Sequence, residues 1–291
     1  MLQNRMWLYG WLLVSPALIL LFAFTHYPTI ATLWSSFFTT PKGCREASFV
    51  GLENYQRLLE DDVFWQVLGN NSIYAIGTIP LSILLALSMA LWVNGKIQGR
   101  AFLRMAYFTP TVLPLIAVAN IWMFFYTPGF GLIDSIQGAF GLPSQNWLGS
   151  PDTVLYAVMA VAIWKEAGFF MIFYLAALQA LPPSLHEAGR IEGAGRWYMF
   201  WKITFPLLMP TTLFVSINAV INSFRLIDHI FVMTNGGPDN ASSLLLFYIY
   251  ETAFRFWDTA YGATLTAVLL VILGAVAIGQ FYFMDRKVHY Q

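Results

Sequence analysis

The chain has 291 residues, of which 58% are hydrophobic and only 10% charged, with fifteen Lys/Arg against fifteen Asp/Glu. Soluble domains carry about 25% charged residues, so this composition cannot cover an ordinary globular core with a water-facing surface. Zero net charge without a basic stripe excludes a nucleic-acid binder, and a lone cysteine, Cys44, excludes a disulfide framework or a cysteine metal site within one chain.

A membrane-spanning helix needs about 20 predominantly apolar residues. In chain order the candidates are Trp7–Phe24, Ile73–Val93, Met105–Tyr126, Val154–Leu178, Ile203–Phe224 and Tyr261–Met284. The apolar runs are continuous rather than alternating, which argues against barrel strands. Arg5 before the first run resembles a signal peptide. The run is longer than a signal core of about 7–15 residues, however, and Thr25-His26-Tyr27-Pro28 offers no small-x-small cleavage site. The expected fold is therefore an all-α membrane protein with six transmembrane helices, forming a single domain over residues 1–291. No internal repeat or attached soluble domain is apparent.

Lys and Arg concentrate on cytoplasmic flanks. With a cytoplasmic N-terminus, the inner segments hold nine Lys/Arg and the outer ones five; acidic residues reverse this, three inside and eleven outside. Arg100, Arg104, Lys96, Arg190, Arg196, Lys202, Arg286 and Lys287 fall inside with Arg5, and Lys42, Arg45, Arg57, Arg225 and Arg255 outside. Both termini are expected in the cytoplasm.

Several catalytic patterns are missing. There is no G-x-x-x-x-G-K-[ST] phosphate loop, so ATP hydrolysis is not expected of this chain. The four histidines, His26, His186, His229 and His289, are scattered, and no G-x-S-x-G elbow occurs. Gly129-Phe130-Gly131 begins like a dinucleotide loop, but Asp134 stands at the third glycine position, which reads as a turn.

The segment between the fourth and fifth spans, residues 182–206, is the most informative. Pro182-Pro183 ends the fourth helix, and Ser184 with Glu187 three residues on has the form of a capping box. Gly193 and Gly195 interrupt the helix that follows. Trp197, Phe200 and Trp201 then recur at helical spacing up to Pro206. The expectation is two short helices with a glycine bend. They form either a connector, with Glu187 as a cap, or a docking knob in which Gly189, Gly193, Ala194 and Gly195 admit another backbone closely.

This segment resembles the EAA loop of the membrane subunits of ATP-binding-cassette importers: E-A-A, three residues, G, nine residues, I-x-L-P. Here Glu187-Ala188-Gly189 is followed by three residues, Gly193, nine residues and Ile203-Thr204-Phe205-Pro206. Gly189 replaces the second alanine, Phe205 replaces leucine, and Glu192 stands where the sugar branch usually has Asp before Gly193-Ala194. Phe49-Val50-Gly51-Leu52-Glu53-Asn54-Tyr55, Phe130-Gly131-Leu132-Ile133 and Asn235-Gly236-Gly237-Pro238 extend the resemblance to permeases of the maltose and glycerol-phosphate type. The resemblance implies a pore-forming subunit for a polar solute in a bacterial-type inner membrane, paired with a second, non-identical permease. It also implies two ATPase subunits that bind the ATP and Mg²⁺, and a periplasmic or lipid-anchored solute-binding protein. It assigns ATPase contact to Glu187 and the bend to Gly193, with Ala188, Gly189, Glu192 and Ala194 as coupling residues.

Two sets of polar residues interrupt the spans. Lys165 and Glu166 lie in the fourth, where a charge costs about 2.5–3.5 kcal/mol on insertion scales. Adjacent positions point about 100° apart on a helix, so each is expected to have its own partner on another helix, or one to line the path. Asn218 and Asn222, four residues apart, share a face of the fifth span beside Ser223. They suit a polyhydroxylated solute or serve as helix–helix glue, and Phe224 is a candidate for stacking on a sugar. An ion-coupled secondary transporter is the alternative. It calls for paired repeats and broken helices in both halves, and an intramembrane enzyme calls for a convergent catalytic set; the sequence shows none of these.

Overall fold

The computed structural model describes residues 2–41, 43, 46–95 and 98–285. Lys42, Cys44, Arg45, Lys96, Arg286, Lys287 and His289, and with them the C-terminus, lie outside the described residues. Five helical stretches are long and apolar enough to cross a membrane: Tyr9–Ser35, Asp62–Asn94, Pro151–Ala180, Met209–Met233 and Thr259–Gln280. A sixth crossing is a pair of helices, Arg100–Val112 and Leu115–Phe125, bent by 103°. By packing, the chain divides into two compact units, Met1–Asp61 with Ile249–Ile272 and Asp62–Tyr248 with Leu273–Gln291.

The first unit opens with α1 (Leu2–Leu21), a π-helical turn (Phe22–His26) and α2 (Tyr27–Ser35). The helix thus runs well beyond the expected Phe24. No residue of its most apolar window is buried, as suits a helix that is apolar all round and faces lipid. The Phe49–Tyr55 motif closes the end of α2. Val50 N–H donates to Phe37 O at 2.9 Å, and Asn54 Nδ2 donates to Ser36 O and Phe38 O, both at 2.8 Å. Helix ends leave carbonyls without helical partners, and Asn54 satisfies two such groups at once. α3 (Glu53–Leu59) follows. Near the start of α15 (Thr259–Asp285), Asp258 accepts hydrogen bonds from Thr40 Oγ1 at 2.6 Å and Arg57 Nη1 at 2.7 Å. Burial pushes the Asp258 carboxyl up, but the hydrogen bonds from Thr40, Arg57 and the Tyr261 N–H outweigh it and hold the group below the usual carboxylate range.

The second unit is built on α4 (Asp62–Asn94), α8 (Pro151–Ala180) and α12 (Met209–Arg225). Ala86 and Ala90 of α4, Ala167 of α8 and Ala219 of α12 sit among Phe170, Tyr174, Leu208 and Val215 in one buried cluster. Small residues at helix contacts let backbones approach, the usual mode of packing inside a membrane. Gly168 makes this most concrete: a Cβ there would come within 2.3 Å of Tyr107 O, so α5 (Arg100–Val112) lies directly on α8 only because residue 168 has no side chain. The Asn235–Pro238 motif lies in a loop pinned to α4. Asn70 Nδ2 donates to Asn240 O at 2.8 Å, and Asn71 Oδ1 accepts the Leu245 N–H at 3.1 Å.

Three sequence expectations change. The third span is not one helix. Pro114 disfavours a helical Leu113, which is extended at φ −73°, ψ 137°, so α5 stops and α6 (Leu115–Phe125) starts anew. The fifth span begins at Met209 rather than Ile203, because residues 196–207 form separate short pieces: α10 (Arg196–Met199), a π-helical turn (Phe200–Thr204) and α11 (Phe205–Leu207). The Ser184–Glu187 capping box does not form. α9 (Pro183–Ile191) starts two residues earlier than a Ser184 cap would place it, with Pro182 at the cap and no side-chain hydrogen bond, because Pro183 already fits the first helical position. Between the spans lie α7 (Leu132–Ala139) and α14 (Leu245–Tyr250), with a π-helical turn at Glu251–Arg255, while α13 (Asp228–Met233) is the last piece of the fifth crossing stretch.

Candidate functional site

Lys165 and Glu166 sit midway along α8 and face different neighbours. Lys165 Nζ donates to Pro110 O at 2.9 Å and Leu113 O at 2.6 Å. Both carbonyls belong to the end of α5, where the bend removes their helical partners and the helix dipole is negative. Each charge-assisted bond contributes about 1.5–3 kcal/mol, enough to offset a large part of the insertion cost of the ammonium. Glu166 Oε2 instead accepts from Asn222 Nδ2 at 2.6 Å, joining α8 to α12.

Lys165, Glu166, Asn218 and Asn222 line one open cleft of about 300 Å³, together with Thr111 and Phe169. Asn218 Nδ2 donates to Phe214 O of its own helix at 2.8 Å, which turns its amide oxygen to other use. Ser223 is buried and donates to Val220 O at 2.8 Å. It lines a smaller neighbouring cavity of about 20 Å³, room for about one water. There Tyr74 Oη lies 3.1 Å from His229 Nε2. Phe224 is only 9% exposed, so the suggested sugar stacking there is ruled out by burial, and Phe169 is the ring on the cleft. Thr111, Phe169, Tyr74 and His229 escaped sequence reasoning. The Pro110/Pro114 pair around Thr111 and the three-residue step from Glu166 to Phe169 were the available signals. Among the described residues, no group of three His, Cys, Asp or Glu is placed to hold a metal ion.

The second candidate site is the helical pair between α8 and α12. α9 ends in a left-handed Gly193 at φ 76°. Gly193 N–H donates to Arg190 O at 3.1 Å, and Ala194 N–H to Gly189 O at 2.9 Å. These two bonds are the Schellman motif, which needs a residue tolerant of positive φ at this position. Glu187, Ala188 and Ile191 fall on one face of α9 and are exposed, Ile191 to 85%. Glu192 and Gly193 are exposed beside them, and Ala194 is half-buried. Gly189 faces inward: a Cβ there would lie 3.3 Å from Ile203 Cδ1 and Met199 Sδ. Its smallness therefore serves the packing of the pair on itself and not the approach of another backbone. Trp197 and Tyr198 of α10 are also exposed.

Residues 78–290 match the model of a family described as binding-protein-dependent transport system inner membrane component. The trehalose/maltose transport system permease protein MalF of Thermococcus litoralis is 33% identical over 267 residues, covering 91% of this chain and 89% of that protein. The sn-glycerol-3-phosphate transport system permease protein UgpA of Agrobacterium fabrum is 32% identical over 281 residues, 96% of each. Among solved structures, a chain of a bacterial alginate transporter, in complex with a periplasmic protein carrying an alginate pentasaccharide, has the same fold. Its TM-score is 0.85 over 98% of this chain and 96% of that one, at 20% identity.

Proposed function

The chain belongs to the family of binding-protein-dependent transport system inner membrane components, and from that premise we propose how it works as an importer permease. The cleft of Lys165, Glu166, Asn218 and Asn222 lines the path of a polar solute of the sugar or glycerol-phosphate type, the solutes named for its relatives. Residues 182–206 lie in the cytoplasm, as do both termini, and α9 docks an ATPase subunit through Glu187, Ala188 and Ile191. Gly193, Gly189, Glu192 and Ala194 shape that helix and its turn. The working assembly contains a second, non-identical permease, two ATPase subunits that hold ATP and Mg²⁺, and a solute-binding protein outside.

One observation carries the reading: an exposed isoleucine lies beside an exposed carboxylate on a capped helix placed between the two helices that hold the cleft. An apolar side chain exposed to that extent beside a charge suits a docking face, and a rigid helix transmits displacement where a flexible loop would absorb it. Family membership also displaces the ion-coupled alternative. The test is uptake by the purified assembly in liposomes with its binding protein, screened over sugars and glycerol phosphates. Uptake should require ATP, and cysteines introduced at Asp134 and Asp258 should label from outside while one at the C-terminus should not. Uptake driven by an ion gradient without ATP, or outside labelling of the C-terminus, would overturn it.

A further inference from the structure

The solutes named for the relatives include both neutral and anionic ones, and the charges in the cleft separate the two classes. We infer that the wall this chain contributes accepts an uncharged polyhydroxylated solute and rejects anionic ones. The inference rests on the proposal that the cleft lines the path.

Lys165 is the basic residue of the cleft, and it is engaged. Two of its three N–H groups go to Pro110 O and Leu113 O at 2.9 and 2.6 Å, so its charge answers the negative end of α5. The remaining polar atoms both donate and accept, and the charged one among them is a carboxylate oxygen. Asn222 satisfies Glu166 Oε2, which leaves the other carboxylate oxygen. Asn218 and Asn222 each spend one of two amide N–H groups, on Phe214 O and Glu166, which leaves each a second N–H and a carbonyl oxygen. Thr111 Oγ1 is buried without a hydrogen-bond partner. Hydroxyl groups of a sugar or polyol both donate and accept and so match such a set, and the Phe169 ring offers an apolar face to the C–H side of a pyranose. A phosphate, sulfonate or carboxylate brings only further acceptors and a like charge against Glu166, with no unengaged cation to receive it.

The test uses the assembled complex with Asn218→Cys and an uncharged, water-soluble maleimide. Matched pairs differing in one anionic group are added as protectants: glucose and glucuronate, glucose and glucose 6-phosphate, glycerol and glycerol 3-phosphate. This readout avoids the selectivity of the binding protein. The neutral member of at least one pair should slow labelling at a concentration roughly tenfold or more below that needed for its anionic partner, because like charges brought together cost several kcal/mol. In Glu166→Gln that gap should shrink. Equal protection within every pair, or better protection by the anion, overturns the charge selection while leaving the cleft on the path. No protection by any solute in a cysteine that labels readily overturns the path assignment and this inference with it. The wild-type Glu166 background gives the decisive comparison even if Glu166→Gln assembles poorly.

Discussion

Gly193 offers the sharpest separation of backbone conformation from partner contact. Its φ is 76°, and a Cβ built there meets no atom within 4 Å. Within this chain a substitution therefore strains only the backbone. A left-handed conformation costs a non-glycine residue roughly 1–2 kcal/mol, and asparagine adopts it several-fold more readily than most. Since about 1.4 kcal/mol is tenfold in an equilibrium, Gly193→Ala should lower the population of the capped loop, and the affinity for the ATPase subunit, by about 5–30-fold. Gly193→Val should do at least as much, because a β-branched residue tolerates positive φ worst. Gly193→Asn should cost less than about fivefold. Membrane insertion should be unchanged in all three, since apolar length sets the spans. The assay is the dissociation constant of the ATPase subunit for the permease pair in nanodiscs, with uptake alongside. A different order, with Ala mild and Asn as damaging as Val, would refute the backbone argument and place a partner's surface against this residue. Equal behaviour of all four forms would show that the turn does not matter to the machine.

Three further outcomes are expected. Glu187→Ala should leave expression and solute binding intact but reduce solute-stimulated ATP hydrolysis at least about tenfold, because an exposed carboxylate with no partner among the described residues contributes nothing to the fold and everything at the docking face; unchanged stimulation and uptake would remove it from coupling. Lys165→Met removes two charge-assisted bonds of about 1.5–3 kcal/mol each but also an insertion cost of about 2.5–3.5 kcal/mol. The net loss of about 0–3 kcal/mol should appear as faster hydrogen exchange around residues 110–118 with little change elsewhere, and unchanged exchange there would dismiss the clamp. The Asp258 carboxyl is held below its ordinary value of 3.8, so its contribution is fully present above that value and disappears as pH falls through the lower, folded-state value. The difference in thermal midpoint between wild type and Asp258→Asn should be constant near neutrality and close only below about pH 4; a difference independent of pH would show that charge at Asp258 is not what holds Thr40 and Arg57.

The spans were legible because long apolar runs leave few alternatives in a bilayer. The bend at Leu113 was written in Pro114 but hidden by hydropathy, which averages over a break whose flanks are both apolar. The separate partners of Lys165 and Glu166 followed from the 100° step between neighbours. Their identities did not, since Pro110 O and Leu113 O are backbone atoms released only by that bend. Asn218 and Asn222 share a face by spacing alone, whereas Ser223, one residue on, points into the core and donates to its own helix. In the loop, Gly193 was readable as a turn. Gly189 was misread as an approach site because nothing in the sequence places Ile203 and Met199 over it.

The proposed coupling implies a definite mode of motion. From Glu166 to Ala180 is roughly 21 Å of α8, and from Met209 to Asn222 roughly 20 Å of α12, at 1.5 Å per residue. α9 follows the near end of α8 after Leu181-Pro182 and leads to the near end of α12 through α10, the π-helical turn and α11. Their far reaches are tied by the 2.6 Å Glu166–Asn222 bond, and both pack in the cluster of Ala86, Phe170, Leu208, Val215 and Ala219. Such a core is not continuously deformable, and the hydrogen bond weakens steeply once its geometry is lost. On the proposed coupling, a push on α9 would therefore move α8, α12 and the cleft wall as one body, and the path would open by movement against the proposed second permease. Linking Glu166→Cys to Asn222→Cys with a short bifunctional reagent should accordingly leave uptake within about twofold of the unlinked double variant, which is the proper reference because both substitutions remove the native bond. Asn222→Leu, which breaks the tie and strands a carboxylate, should impair uptake severely. Uptake abolished by the linker and restored by its cleavage would show instead that the two helices must part during transport.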